Sequence, residues 1–175
     1  VTNNSTGDTL LTVSLPTGVG LNIAGKSQSL SLQAASNDIT QRIAQKTGSN
    51  SSLTQEIINH AQNFLATLAA DERVTVQAIT PSISNNQLLD VPIIITGSNS
   101  NSDDQQMLIV DAGNLPSGTT IQLDNVAFAS IIGAARVVGG NGENFVVGDN
   151  QNQYIVLGTD DDTLFGGGGN DTIGS

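Results

Sequence analysis

The apolar positions after residue 129 recur with a fixed period of nine. From residue 130 the chain divides without insertion into five units: SIIGAARVV, GGNGENFVV, GDNQNQYIV, LGTDDDTLF and GGGGNDTIG. The eighth position of each unit is aliphatic, and these residues are Val137, Val146, Ile155, Leu164 and Ile173. Because a unit this short cannot bury its own apolar side chain, the period predicts units that stack on one another. We therefore expect residues 130–175 to form a repetitive module.

Two helices are predicted upstream of the repeats. The stronger one covers residues 53–69, because Ser52 can cap its start, Gln55 follows three residues later, and apolar residues then recur at helical spacing. These apolar residues are Leu53, Ile57, Ala61, Leu65 and Leu68. A weaker helix is predicted over residues 38–45, with Ile39 and Ile43 on one face.

Short runs rich in Val, Ile, Leu and Thr predict strands around these helices. The predicted strands are residues 9–15, 29–32, 74–79, 91–96, 107–110 and 119–123. Polar loops are expected at residues 48–52 and 97–104, and a tight turn at 115–118. Residues 1–129 therefore read as a β-rich α+β domain with a helical insert, and residues 130–175 as a second module.

Composition and charge exclude several classes of function. The 175 residues contain no cysteine, so the chain has neither disulfides nor thiolate metal sites, and a bound cation is the alternative staple. The formal net charge is -11. Residues 139–175 hold no Lys or Arg and six acidic residues: Glu143, Asp149, Asp160, Asp161, Asp162 and Asp171. Such a surface repels phosphates, so we expect no nucleic-acid partner. No apolar run approaches the length of a membrane span, and none is expected.

The sixth position of the units points to cation chemistry. It reads, in order, Ala135, Asn144, Gln153, Asp162 and Asp171. Amide and carboxylate oxygens are ligands that Ca²⁺ prefers, and glycine-rich turns can point backbone carbonyls toward an ion.

The last units resemble the consensus G-G-x-G-x-D-x-U-x, in which U is a large aliphatic residue, of secreted bacterial repeats-in-toxin (RTX, hemolysin-type) calcium-binding proteins. The resemblance covers the C-terminal repeats alone. It implies that six residues of each unit turn and three form a short parallel strand, with calcium between turns two units apart. Units two apart then pair Asn144 with Asp162 and Gln153 with Asp171, and each pair offers one carboxylate and one neutral oxygen. The fold class it implies is mainly β: the β-rich α+β domain of residues 1–129, followed by the start of a parallel β-roll or β-solenoid.

The same resemblance implies a set of metal-site residues. They are Asp162, Asp171, Asp160, Asn144, Gly140, Gly142, Gly158, Gly167 and Gly169. Asp160 stands where the consensus has glycine, and the amides in the earlier units lower the charge of each site. The alternative interpretation is therefore a degenerate array that binds little calcium.

The resemblance also implies a function. We expect a non-enzymatic, calcium-binding structural segment of a large secreted or surface-associated protein that leaves the cell by type I secretion and folds outside it. The expected partners are calcium ions, further repeats C-terminal to residue 175, and a cell surface or a second copy. Two alternatives remain: the flank of a secreted protease or lipase, and an adhesin or surface-layer module. His60, the single histidine, has no catalytic motif around it, so no catalysis is expected.

Overall fold

The computed structural model describes residues 1–2, 7, 9–48, 51–85, 87–98 and 104–175. These residues form two helices and thirteen strands. The helices are α1 (Leu32–Thr47) and α2 (Ser52–Thr67). The strands are β1 (Leu11–Ser14), β2 (Val19–Gly25), β3 (Leu30–Ser31), β4 (Arg73–Ile83), β5 (Ile93–Gly97), β6 (Asp104–Asp111), β7 (Thr120–Asp124), β8 (Phe128–Ile132), β9 (Arg136–Gly139), β10 (Phe145–Val147), β11 (Tyr154–Val156), β12 (Thr163–Phe165) and β13 (Thr172–Gly174).

The strands form two mixed sheets. One has six strands in the order β1-β5-β7-β9-β11-β13, and the other has seven, of which six follow the order β12-β10-β8-β6-β4-β2 while β3 pairs with β4. The pairs β1–β5, β2–β4 and β3–β4 are antiparallel, and the remaining pairs are parallel. From β4 onward, successive strands alternate between the two sheets, so each short connection crosses from one sheet to the other.

The register of the last strands follows the nine-residue period. Ile155 on β11 lies opposite both Val137 and Ile173, each 18 residues away, and Val146 on β10 lies opposite Leu164. Val137, Val146 and Ile155 are buried, whereas Leu164 is half-buried and Ile173 is 54% exposed. The expected apolar stack is therefore present. Its side chains are less buried toward β12 and β13, which are the edge strands of the two sheets.

The seven-stranded sheet is covered on both faces. Leu108 and Val110 of β6 face the core between the two sheets, whereas Met107 and Ile109 belong to the core beneath the helices. Because successive side chains of a strand point to opposite faces, β6 needs apolar residues at consecutive positions. The chain therefore has two layers of core, and α1 and α2 lie on the outer one.

The expected fold class is wrong. The structure is of α/β type, with two mixed sheets and two helices, and it does not show a mainly β chain in which an α+β domain precedes a parallel β-roll or β-solenoid. Strands from residues 1–129 and from 130–175 pair within the same sheets, as β7–β9 and β8–β10 do. The nine-residue period predicts where strands and turns alternate in residues 130–175. It does not predict which strands of residues 1–129 pair with them.

Both predicted helices are confirmed, with shifted bounds. The helix predicted over residues 53–69 is α2, whose cap is Ser51: its side-chain oxygen accepts a hydrogen bond from Thr54 N at 3.0 Å. The helix predicted over residues 38–45 is α1. It is twice as long as predicted, because it begins directly after β3 with Ser31 as its cap. Within the described residues, neither helix is long and apolar enough to cross a membrane.

The predicted strands at residues 9–15, 74–79, 91–96, 107–110 and 119–123 correspond to β1, β4, β5, β6 and β7. The strand predicted at residues 29–32 is shorter, because Leu32 starts α1. Strand β2 was not predicted, because no element was expected between residues 15 and 29. Residues 49–50 and 99–103 of the two predicted polar loops lie outside the described residues. The expected boundary at residue 129 falls within β8.

Candidate cation site

Four turns connect the last five strands, and they meet in two pairs. The first turn pair, residues 140–144 and 158–162, leads from the six-stranded to the seven-stranded sheet. The second turn pair, residues 148–153 and 166–171, leads back. Within each pair the turns lie 18 residues apart and are joined by hydrogen bonds. The structure thus brings together residues two units apart, as the resemblance to RTX repeats implies.

The first turn pair joins Asn144 to Asp162. The backbone N–H of Asn144 donates to Asp162 Oδ1 at 2.8 Å, and that of Gly142 donates to Asp160 Oδ2 at 2.9 Å. The Asn144 amide donates through Nδ2 to the Val126 carbonyl oxygen at 2.8 Å. The other oxygens, Asn144 Oδ1 and Asp162 Oδ2, are buried and have no hydrogen-bond partner among the described residues. Burial of such acceptors is unfavourable unless a donor or a cation reaches them.

The second turn pair joins Gln153 to Asp171 in the same way. The backbone N–H of Gln153 donates to Asp171 Oδ1 at 2.9 Å. Gln153 is 3% exposed, and its Nε2 donates to the carbonyl oxygen of Gly133 at 3.0 Å. Its Oε1 is buried and lacks a partner within the described part of the chain. The side-chain amides of Asn144 and Gln153 therefore donate to carbonyl oxygens earlier in the chain, and their own oxygens accept no hydrogen bond from the described residues.

Asp149 is a buried acid that the repeat pattern did not single out. It is 4% exposed and accepts hydrogen bonds from Gly133 N, Gln151 N and Gln153 Nε2, each at 2.9 Å. The sequence could have pointed to Asp149 by its position, because Asp149 occupies the second place of its unit, where the consensus has glycine. Its carboxylate ties the turn of residues 148–153 to the preceding turn at Gly133.

The predicted glycines lie in these turns, where a side chain would be obstructed. Gly142, Gly167 and Gly169 have positive φ angles of 89°, 82° and 95°. Those values favour glycine because L side chains are strained there. An added Cβ at Gly140 would overlap the Asp124 carboxylate, and one at Gly158 would lie 2.6 Å from the Gly140 carbonyl oxygen. The close approach of stacked turns therefore requires glycine at these places.

The contact between turns of the second pair can be tested at Gly148. An added Cβ there would overlap Gln153 Oε1 and the carbonyl oxygen of Gly166. Gly148→Ala should therefore lower the free energy of unfolding by about 1–3 kcal/mol, the usual cost of overpacking. Urea denaturation measures this loss. The control is Gly168→Ala, whose added Cβ would lie 3.5 Å from Asn150 Cβ, an ordinary contact. Equal losses in the two variants would contradict the close approach.

The donor set suits a hard, oxygen-seeking cation. Within the described ranges, no group of three or more His, Cys, Asp or Glu side chains lies close enough to hold a metal. The ligands would therefore combine one carboxylate with amide and backbone oxygens. This mixture fits Ca²⁺, which accepts six to eight oxygen ligands of mixed type, better than Zn²⁺, which prefers nitrogen and sulfur.

Comparison with known proteins assigns the chain to no family. No family model matches the chain, no curated protein matches it, and no solved structure matches it.

Proposed function

We propose that this chain is a non-enzymatic calcium-binding structural segment of a large secreted or surface-associated protein similar to the RTX family, and that its last turns complete their folding by binding calcium outside the cell. Asp162 and Asn144 would hold an ion in the first turn pair, and Asp171 and Gln153 in the second. Gly140 and Gly158 would bring backbone carbonyl oxygens close to the first site, and Gly167 and Gly169 close to the second.

The observation that carries this proposal is the free oxygen in each turn pair. Asp162 Oδ2 and Gln153 Oε1 are buried without a donor among the described residues, although buried polar atoms in proteins are nearly always paired. Each oxygen belongs to the sixth position of its unit. A cation between the turns would satisfy these acceptors.

The charge of the turns supplies a driving force. Residues 139–175 carry six carboxylates and no Lys or Arg, so the turns repel one another as they approach. A bound divalent ion neutralises this repulsion, and its binding free energy then contributes to folding. Calcium is scarce in the cytosol and abundant outside cells, which supports a segment that completes its folding after export.

Thermal unfolding with and without calcium tests the proposal. For wild type, calcium at 100 times the dissociation constant should stabilise the fold by about 2.7 kcal/mol, seen as a higher melting temperature. Magnesium at the same concentration should have little effect, because Mg²⁺ demands octahedral geometry and releases its water reluctantly. Asp162→Asn should reduce the calcium effect, since it replaces a free carboxylate oxygen and its charge with an amide.

The matched control is Asp71→Asn, which removes the same charge from an exposed residue between α2 and β4. It should keep the full calcium response. A wild-type melting temperature that does not change with calcium would contradict the proposal, as would an equal calcium response in Asp162→Asn and wild type.

A further inference from the structure

An acidic cleft lies beside the first turn pair, where the carboxyl end of α2 approaches the start of β6. Its volume is about 560 Å³. That volume is within the usual size of small-molecule sites. Phe64 of α2, Leu68 directly after α2, and Phe145 supply apolar lining, and Asp104, Glu143 and Asp161 add three carboxylates. We call this cavity the acidic cleft.

The acidic cleft offers acceptors and no cationic side chain. None of the five Lys and Arg residues lines it, and neither does His60. Asn144, which is 2% exposed, also lines it, and its Oδ1 has no hydrogen-bond partner within the described residues. By contrast, the cavity at the start of α2 mixes Lys46 with Glu56 and Asp149. The acidic cleft therefore favours a ligand that carries positive charge and hydrogen-bond donors.

The lining also specifies the shape of that ligand. The rings of Phe64 and Phe145 pack edge to face, with centroids 5.8 Å apart, and Ala127 adds a small apolar wall. Aromatic faces attract cations and accept alkyl chains. Asn125, which has a positive φ of 52°, also lines the cleft.

We propose that the acidic cleft binds a primary ammonium or guanidinium group on a short alkyl stem. The stem would lie against Phe64, Phe145 and Leu68, and the cationic group would meet Glu143, Asp161 and Asn144 Oδ1. The group has two possible sources, a free polyamine-like molecule or a Lys or Arg side chain of a peptide. Asn144 Oδ1 is also a proposed calcium ligand, so calcium and the organic cation would compete for this atom, and calcium should weaken the binding of the organic cation.

Titration calorimetry in a buffer that contains a calcium chelator tests the proposal separately from calcium binding. Agmatine stands for the free cation, and a capped Gly-Arg-Gly tripeptide stands for a side chain. At least one should bind saturably at millimolar concentration or below, and binding should weaken as sodium chloride is added. Tighter binding of agmatine would indicate a free cation, and tighter binding of the tripeptide would indicate a peptide side chain. Butyrate, which has an alkyl stem and a negative charge, should not bind.

The double variant Glu143→Gln/Asp161→Asn should weaken this binding at least about tenfold, because it removes two of the three carboxylates. Both residues are exposed, so the fold should be retained. Asp90→Asn, in a different cavity lined by Leu88 and Pro16, is the matched control and should bind as wild type does. The proposal is overturned if neither cation binds, or if the double variant binds as tightly as wild type.

Discussion

Phe128→Ala should lower the free energy of unfolding by about 3–5 kcal/mol, the usual cost of removing a fully buried aromatic side chain. Phe128 is 0% exposed on β8, near the centre of the seven-stranded sheet. Its ring lies 5.4 Å from that of Phe64 on α2 and 5.6 Å from that of Phe145 on β10, measured between centroids. The substitution therefore leaves a cavity between α2 and strands β8 and β10. Helix α2 precedes the expected boundary at residue 129, and β10 follows it.

Urea denaturation measures this loss. The control is Ile23→Ala, on the edge strand β2, where the side chain is 36% exposed and a smaller cavity results. Its loss should be clearly smaller than that of Phe128→Ala. A loss below about 1 kcal/mol for Phe128→Ala would show that α2 is not packed on β8 and β10 as described.

Asp149→Ala should lower the free energy of unfolding by about 3 kcal/mol, because three donors lose their acceptor and a buried unsatisfied donor costs about 1–3 kcal/mol. Those donors are Gly133 N, Gln151 N and Gln153 Nε2. Nuclear magnetic resonance can localise the effect, since the amide protons of Gly133 and Gln151 should exchange faster with solvent. Asp90→Ala, at an exposed position, is the control and should change the stability little.

A loss for Asp149→Ala no greater than that for Asp90→Ala would contradict the buried network. Because Asp149 Oδ1 accepts from Gln153 Nε2 and Gln153 is a proposed calcium ligand, Asp149→Ala should in addition weaken the calcium response of the second turn pair. The loss of stability measured in a calcium chelator is therefore the one that reports the hydrogen bonds of Asp149.

The sequence predicted much of the local structure correctly. The helical spacing from Leu53 to Leu65 located α2, and the nine-residue period located the short strands β9 to β13. The resemblance to RTX repeats implied that residues two units apart would meet, and the hydrogen bond from Asn144 N to Asp162 Oδ1 joins such a pair. The helix and the short strands follow from short-range alternation of apolar residues, polar residues and glycine, which one sequence displays directly.

The fold class could not be predicted because it depends on pairings between distant segments. Nothing in the spacing of residues 130–175 shows that β8 pairs with β6, or that antiparallel β1 and β2 border the sheets. Strand β2 was missed because Gly20 and Gly25 favour a loop. In the structure, β4 leaves no room for a side chain at Gly25, where an added Cβ would lie 2.5 Å from the Val76 carbonyl oxygen.

The chemistry of the site was predictable by residue type but not by atom. Asn144 and Gln153 were expected to offer neutral oxygens, yet the sequence could not show that their amide N–H groups are used on upstream carbonyls. Asp149 was recognised as a charge and not as a buried acceptor. The acidic cleft was not predicted at all, because Phe64, Asp104 and Asp161 are brought together only by packing of α2 beside the turns.

Direct titration of calcium into chelator-stripped wild-type protein, followed by calorimetry, tests the proposed ion between the turns most directly. We predict saturable heat that magnesium does not reproduce and that Asp162→Asn diminishes. If wild type shows no calcium binding at millimolar concentration, or if Asp162→Asn binds calcium as wild type does, the buried oxygens of the turns do not form a calcium site.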